Sequence, residues 1–272
     1  MIFLVGTPVC LQRGRSFGNF RSTVLKRKFK LIIEYEGTCY HGWQVQPNGI
    51  TIQEVLQSCL KKITGEKRSV VGSGRTDAGV HAEAQVSHFR TTSKMTAHQF
   101  LMAFNSLLPH DIVIKNVAEV PDDFHAQRSA IRKTYRYTIL NREYPSALQH
   151  NQCCFIQYPL DVKSMLMAKS YLEGKHDFSA FRASNCEARN PVREIYKIDI
   201  SKKGDFITLD FDGNGFLKYM VRNIVGTLIQ VGRNKIPAQE VKVILESRDR
   251  KNAGPTAKPC GLCLVEVFYS EG

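Results

Sequence analysis

Apolar and polar residues alternate in several short runs of the chain, and a period of two residues predicts β-strands. In the first run, Phe29, Leu31, Ile33 and Tyr35 fall on one face of a strand that begins near Lys28. Further strands are predicted over residues 84–89, 112–120, 133–140, 194–201, 205–211 and 261–269. A Lys-Lys-Gly turn joins the fifth and sixth of these seven strands into a hairpin.

Between the strands, apolar residues spaced three and four apart predict helices. Thr51 and Thr96 each precede a Glu or Gln by three residues, which is the spacing of a capping box, and Gly65 and Pro109 end the helices that follow. Two more helices are predicted over residues 161–172 and 215–231. The last of these is apolar on nearly all sides and should be buried.

Strands mixed with helices, with at least one hairpin, predict an α+β fold in which helices flank a mixed, largely antiparallel central sheet. A turn-rich segment around Pro145 divides the folded chain into two similar halves, over residues 28–150 and 151–272. Residues 1–27 precede the first strand, and we predict that they form a disordered basic extension.

The charge of the chain points to a class of partner. Lys and Arg number 38 against 25 Asp and Glu in 272 residues, which gives a formal net charge of +13. Such an excess attracts polyanions, so nucleic acid is the leading partner class, although solvated lysine faces give other proteins a similar charge. A hydrophobic fraction of 43% is typical of a folded globular protein.

The first 33 residues contain no acidic side chain and carry Arg and Lys after a short apolar start. This order is the reverse of a secretory signal, and the apolar run over residues 1–11 is too short to cross a bilayer. A mitochondrial transit peptide, a tail that touches RNA and a misplaced start codon all fit the segment. We predict a bacterial-type cytoplasmic protein without membrane association, with the mitochondrial matrix as the alternative compartment.

Eight cysteines in a chain of this length, without a secretory signal, predict reduced thiols rather than a disulfide framework. Cys260 and Cys263 form a lone C-x-x-C motif, and neither a second pair nor a histidine pair completes a zinc site. No metal is therefore assigned. The absence of G-x-S-x-G and H-E-x-x-H motifs also disfavours the common hydrolase and zinc-protease readings.

The segment GSGRTDAGVHA, from Gly72 to Ala82, brackets Arg75 and Asp77 with three glycines. Such a loop can bring its backbone close to a ligand. A dinucleotide-binding loop would need glycine at position 77, and a P-loop would need a Gly-Lys-Ser/Thr end, so neither motif fits. Arg75 and Asp77 either form a structural ion pair within the turn or belong to a functional site.

Two other segments contain candidate functional residues. On the helix predicted over residues 215–231, Lys218 and Arg222 lie four residues apart on a narrow polar arc, and a guanidinium so close to a core needs an anion. That anion can be a structural carboxylate, a catalytic Asp or an RNA phosphate. In the strand over residues 133–140, Tyr135 and Tyr137 share one face and Arg136 lies on the other, which suits either RNA binding or a half-buried structural strand.

Several segments, taken in order, match the motifs of one known family. They are YEGTCYHGWQ over residues 35–44, GRTDAGVHA over 74–82, PDDFHA over 121–126, KTYRY over 133–137, MVRNIVG over 220–226, TAK over 256–258 and GL at 261–262. With these motifs the chain resembles the TruA family of tRNA pseudouridine synthases from about residue 30 to residue 269. The residues flanking 261–262 depart from the family pattern, and the basic extension lies outside the match.

The resemblance implies the pseudouridine synthase fold, with a cleft between its halves, and a cofactor-free isomerase. Its substrate would be uridine in the anticodon arm of tRNA, typically at positions 38 to 40, and the enzyme would be a homodimer. Matched motif by motif, Asp77 becomes the essential nucleophile, Tyr135 and Arg222 become further catalytic residues, and Arg75 helps the target base to leave the stack. The residues expected to bind RNA are Arg75, His81, Tyr135, Arg136, Lys218 and Leu262.

A guanidinium paired with Asp77 is expected to lower the pKa of its carboxyl and keep it charged. Two rival functions are a non-catalytic tRNA-binding protein on the same scaffold and a carboxylate-dependent glycosidase that acts on nucleosides. The glycosidase would need a second acid near Asp77.

Overall fold

The computed structural model describes residues 26–270, so most of the predicted extension, residues 1–25, lies outside it. The strands are β1 Arg27–Tyr35, β2 Val71–Gly72, β3 His81–Thr91, β4 Ile112–Val120, β5 Ala130–Asn141, β6 Cys154–Ile156, β7 Gly174–Asp177, β8 Val192–Lys203, β9 Phe206–Gly213 and β10 Leu262–Tyr269. The helices are α1 Ile52–Thr64, α2 Ala97–Leu107, α3 Val162–Lys169, α4 Met220–Gly232 and α5 Glu240–Ser247. Every strand and helix predicted from the sequence coincides with one of these, with shifts at the ends.

The ten strands form one sheet whose main path runs β4-β1-β3-β10-β5-β9-β8-β7, with β2 beside β3 and β6 beside β5. All pairs are antiparallel except β3 with β10 and β5 with β6. This confirms the predicted α+β fold with a mixed, largely antiparallel sheet. Because β10 inserts between β3 and β5, both predicted halves contribute strands to the centre of the sheet, and their division near residue 150 stays a prediction.

One face of the sheet carries the helices. Phe29, Leu31, Ile33 and Tyr35 are all buried, as their alternation predicts. The ring of Phe29 packs against Phe100 of α2, with the ring centroids 4.9 Å apart. These contacts place one part of the hydrophobic core between β1, β3 and the helices that follow them.

The same face continues across the centre of the sheet. The strand register sets Tyr35 opposite Ala82, Ala82 opposite Leu264, and Leu264 opposite Tyr135. Residues directly opposite each other on paired strands point to the same side. Tyr135 therefore lies on the face that carries the helices.

Both predicted threonine caps are confirmed. The Thr51 hydroxyl accepts the backbone N–H of Glu54, and Gly65 ends α1 with a φ of 74°. Thr96 and Gln99 form a complete capping box at the start of α2, in which each side chain accepts the other residue's backbone N–H.

The helix predicted from Gly215 begins five residues later than expected, at Met220. Tyr219 has a φ of 64°, in the left-handed region, and a right-handed helix cannot pass through that conformation. Lys218 therefore lies before α4, and its predicted place on one helical stripe with Arg222 is wrong. The burial predicted for this helix is confirmed, and Arg222 projects from its first turn.

Gly226, one turn after Arg222, gives a test of this packing. A methyl group at Gly226 would overlap the backbone carbonyl of Pro255, so Gly226→Ala should destabilise the protein by about 3 kcal/mol, more than alanine gains from its helix propensity. Urea unfolding would measure the change. Gly232→Ala at the end of the same helix is the control, because its methyl group would meet the flexible side chain of Met165 and should cost less. Equal losses in the two variants would contradict the close approach at Gly226.

Candidate active site

Asp77 lies in the loop that joins β2 to β3, and backbone hydrogen bonds hold this loop against the segment after β1. The N–H of Trp43 donates to the carbonyl of Thr76 at 3.1 Å, and the N–H of Gly79 donates to the carbonyl of Tyr40 at 3.3 Å. Gly79 has a φ of 75°, a conformation that favours glycine. The backbone on both sides of Asp77 is thus tied to a second segment of the chain.

The residues that precede Asp77 are anchored in the core. The hydroxyls of Thr76 and Tyr35 share a hydrogen bond of 2.8 Å, and the buried hydroxyl of Ser73 donates to Gln85 at 2.6 Å. These bonds pass from the loop to β1 and β3. They hold the backbone of the loop in place, and the carboxylate of Asp77 takes no part in them.

That contact is with Arg222. The distance between Arg222 Nη1 and Asp77 Oδ2 is 3.1 Å, and the two side chains are only 12% and 18% exposed. The guanidinium also donates from Nε to the carbonyl of Ala257 at 2.8 Å and lies over the ring of Tyr219, 4.9 Å from its centroid. The anion that a buried Arg222 requires is therefore Asp77. The carboxylate comes from the loop between β2 and β3, and the guanidinium comes from α4.

The pKa of the Asp77 carboxyl is raised above its ordinary value, so the expectation of a lowered pKa is wrong. Burial is the largest cause, because removal from water disfavours the charged form. Arg222, by its charge and its hydrogen bond, and Lys218, by its charge, act in the opposite direction without cancelling the effect of burial. The site thus holds a carboxylate whose ionisation depends on its cationic neighbours.

Tyr135 reaches the same site from β5. It is 8% exposed, and its ring meets that of Phe216 edge-on with the centroids 5.3 Å apart. Burial is the largest cause of its raised pKa, and the negative charge of Asp77 also contributes. The hydroxyl therefore stays protonated at neutral pH, and the ring forms an apolar wall near the carboxylate.

Arg75 does not pair with Asp77. Its guanidinium lies 2.7 Å from Glu187, and both side chains are largely exposed, at 59% and 77%. Lys218 is exposed before α4, with its ammonium 5.6 Å from the ring of Tyr219. The structural ion pair considered for Arg75 and Asp77 is thus absent, and Arg75 stands at the rim of the site.

Two of the predicted RNA-binding residues face the other side of the sheet. Arg136 lies opposite Cys263, which lies opposite His81, and this row is one residue out of phase with the row that contains Tyr135. Arg136 forms an ion pair with Asp210 at 2.7 Å. His81 is buried, and its Nδ1 accepts the N–H of Gly37 at 3.0 Å. The structure does not bring Arg136 and His81 to Asp77, and their contact with RNA stays a prediction.

Two further residues lie on the strands around the site, Leu262, which was predicted to bind RNA, and Lys133, which was not. Leu262 is buried on β10 opposite Tyr137. No function was predicted for Lys133 from the sequence. It lies two residues before Tyr135, and its ammonium donates to the carbonyl of Ser73 at 2.7 Å. Burial lowers the pKa of Lys133 to about 8, and the charge of Arg193 adds to this effect. The alternation of β5 by itself places Lys133 on the face of Tyr135, and this signal could have identified it.

Residues 26–270 contain no group of three or more His, Cys, Asp or Glu side chains placed to hold a metal ion. The thiols of Cys260 and Cys263 are free and half-buried. No helix in this part of the chain is long and apolar enough to cross a membrane.

The sequence is similar to proteins of one family. Residues 31–127 and 168–270 match a family model described as tRNA pseudouridine synthase. A tRNA pseudouridine synthase A of Thermoanaerobacter sp. is 49% identical over 243 residues, which cover 89% of this chain and 100% of the relative. A tRNA pseudouridine synthase A of Ruminiclostridium cellulolyticum is 49% identical over 244 residues, covering 89% and 100%.

Solved structures are more distant. The crystal structure of a Cbf5-Nop10-Gar1 complex contains a chain with 12% sequence identity and a TM-score of 0.38, and the match covers 88% of this chain and 50% of that one. The chain thus spans about half the length of that structure's chain.

Because a family model matches most of the sequence and relatives are 49% identical along their whole length, the chain belongs to the TruA family of tRNA pseudouridine synthases, isomerases that form pseudouridine in tRNA.

Proposed function

We propose that the enzyme converts uridine to pseudouridine in the anticodon arm of tRNA, at positions 38 to 40, with Asp77 as the nucleophile. The observation that carries the proposal is the largely buried pair of Asp77 and Arg222, close to Tyr135 on one face of the sheet. The reaction breaks the bond from uracil N1 to the sugar, turns the base and joins its C5 to the same sugar carbon. A proton leaves C5 and N1 gains one, so atoms and electrons balance without an added oxidant or reductant.

The residues of the site suit the steps of this isomerisation. A carboxylate can attack an electron-poor centre, at the sugar or at the base ring, and both modes of attack are compatible with Asp77. Arg222 favours the ionised form of the carboxylate and so opposes the effect of burial, which favours the protonated form. Tyr135 offers a protonated hydroxyl and an aromatic wall for the extruded uracil.

The direct test is to treat unmodified tRNA with the purified protein and to map pseudouridine at each uridine. We expect new pseudouridine at positions 38 to 40 and none when these uridines are replaced by cytidine. Modification confined to another arm of tRNA would overturn the proposed target but not the family.

Tyr135→Phe tests the role of the hydroxyl. The ring keeps its contact with Phe216, so the melting temperature should change little, while the single-turnover rate should fall by about 10²-fold or more if the hydroxyl moves a proton. Tyr137→Phe is the matched control on the same strand. It loses a buried hydrogen bond to the Lys258 carbonyl, so it should lower stability by about 1 kcal/mol with a smaller loss of rate. The reverse pattern would contradict a catalytic hydroxyl at Tyr135.

Glu187→Gln tests the proposed part of Arg75 in drawing the target base out of its stack. Glu187 holds the exposed Arg75 guanidinium at 2.7 Å, so its removal should free Arg75 for RNA and tighten tRNA binding several-fold without changing the melting temperature. Asp199→Asn removes the same charge from an exposed ion pair with Lys197 on β8 and serves as the control. Equal effects of the two variants on the Kd would show that net charge, rather than Arg75, is responsible.

Two further features are part of the proposal. We infer a homodimer, as the family resemblance implies, and light scattering of the purified chain would test its mass. We also infer a bacterial-type cytoplasmic location, and imaging of the full chain fused to a fluorescent protein would show mitochondrial import instead if residues 1–27 act as a transit peptide.

A further inference from the structure

Two cations on the helix-bearing face of the sheet take no part in the reaction proposed above. Lys133 lies on β5, two residues from Tyr135, and Arg193 lies near the start of β8. The register places Lys133 opposite Gly213 of β9, and Gly213 opposite Ile195 of β8. Arg193 is two residues before Ile195, so it points to the same side as Lys133.

Gly213 of the intervening strand adds no side chain between the two cations, and the ring of Phe216 packs close to where its Cβ would stand. Their charges are close enough that Arg193 lowers the pKa of Lys133. Within residues 26–270 neither cation forms an ion pair with a carboxylate, and burial is the largest cause of the lowered pKa of each. Two partly buried positive charges side by side are unfavourable unless an anion joins them.

The protein partners of these cations leave donors free. The Lys133 ammonium has three N–H groups, and its bond to the Ser73 carbonyl uses one of them. Arg193 donates from Nη1 to the carbonyls of Asn190 and Val192, at 2.9 and 2.7 Å, which leaves its other nitrogens without partners among the described residues. The Lys133 ammonium also lies 2.7 Å from where a methyl group of Gly74 would stand, so a side chain at position 74 would displace it.

We propose that Lys133 and Arg193 form a subsite for a phosphodiester of the RNA strand, next to the place of the extruded uridine. Two residues along a strand span about 7 Å, so Lys133 reaches the backbone beside a base that packs against Tyr135. Holding this phosphate stabilises the flipped nucleotide, since the backbone must turn for the base to leave its stack. The subsite rests on tRNA being the substrate, but it does not depend on which atom Asp77 attacks.

The test uses the full chain with Lys133→Met, Arg193→Met and the double substitution, and measures the Kd for tRNA across a series of salt concentrations. Each single substitution should raise the Kd about tenfold and reduce the slope of log Kd against log salt by about 0.7 to 0.9, the share of one phosphate contact. Lys197→Met is the matched control, because it removes an exposed lysine of β8 that is paired with Asp199. It should leave the Kd and the slope almost unchanged.

A second arm needs no altered protein. An anticodon-arm RNA with one neutral methylphosphonate linkage beside the target uridine should bind the native enzyme about tenfold more weakly. It should lose nothing further with the double variant Lys133→Met and Arg193→Met, because that variant has no contact left to lose. Full affinity of the native enzyme for RNAs with either flanking linkage neutralised would overturn the subsite.

A purely structural role gives a different result. If Lys133 does no more than hold the Ser73 carbonyl, then Lys133→Met lowers kcat or the melting temperature while the Kd and its salt slope stay at native values, and the proposal is wrong. Failure of the proposed target is separate, since it would appear as native enzyme that forms no pseudouridine in the anticodon arm.

Discussion

Replacing Asp77 by asparagine is expected to abolish pseudouridine formation while leaving the affinity for tRNA nearly unchanged. The amide keeps the size of the carboxylate and can still accept the hydrogen bond of Arg222, but it carries no charge with which to attack. The single-turnover rate should fall by about 10³-fold or more. Turnover near the native rate would refute Asp77 as the nucleophile.

Asp77→Asn is not expected to destabilise the protein at neutral pH. A carboxyl whose pKa is higher in the folded state binds its proton more tightly there, so the stability it contributes is present at low pH and is lost as pH rises through the folded-state pKa. At neutral pH, ionised Asp77 thus opposes folding. Asp77→Asn removes this cost, and its melting temperature at pH 7 should equal or exceed the native value.

A matched control for Asp77→Asn is Asp210→Asn. Asp210 is paired with Arg136 at 2.7 Å, so the substitution breaks an Arg–carboxylate pair on the face of the sheet opposite to Tyr135. It should keep turnover and gain no stability. A higher melting temperature in both variants would mean that the gain does not come from the burial of Asp77.

Replacing Arg222 by glutamine is the second change with a large expected effect. Arg222 opposes the rise in the pKa of Asp77, so without it the carboxyl should take up its proton at a still higher pH. Activity depends on the ionised form, so the acid limb of the profile of kcat/KM against pH should move to higher pH. The rate at neutral pH should fall by about 10²-fold and partly recover as the pH is raised.

Arg222→Gln should also lower stability by about 1 to 3 kcal/mol, because the bond from its guanidinium to the Ala257 carbonyl is lost in a site of low exposure. Arg233→Gln is the control, since this residue lies at the other end of α4 and packs over Tyr158. It should leave the acid limb in place. An unshifted limb in Arg222→Gln would show that Arg222 does not govern the ionisation of Asp77.

The sequence by itself determined the elements and the chemistry-bearing loop. Alternation placed Phe29 to Tyr35 on one buried face, and the capping residues and glycines set the ends of α1 and α2. These patterns are local, since the side chains of one strand or one helix alternate whatever the rest of the chain does. The motifs around Asp77, Tyr135 and Arg222 likewise identified the family from the sequence alone.

Only the tertiary structure decided which of these groups meet. Arg75 is two residues from Asp77 in sequence but pairs with Glu187, whereas Arg222, 145 residues away, closes on Asp77 at 3.1 Å. The left-handed conformation of Tyr219 places Lys218 before the helix, and the inserted strand β10 sets Tyr135 on the face of the sheet that carries the helices. The direction of the pKa shift of Asp77 also required the structure, because burial depends on every segment that packs around a group and cannot be obtained from its sequence neighbours.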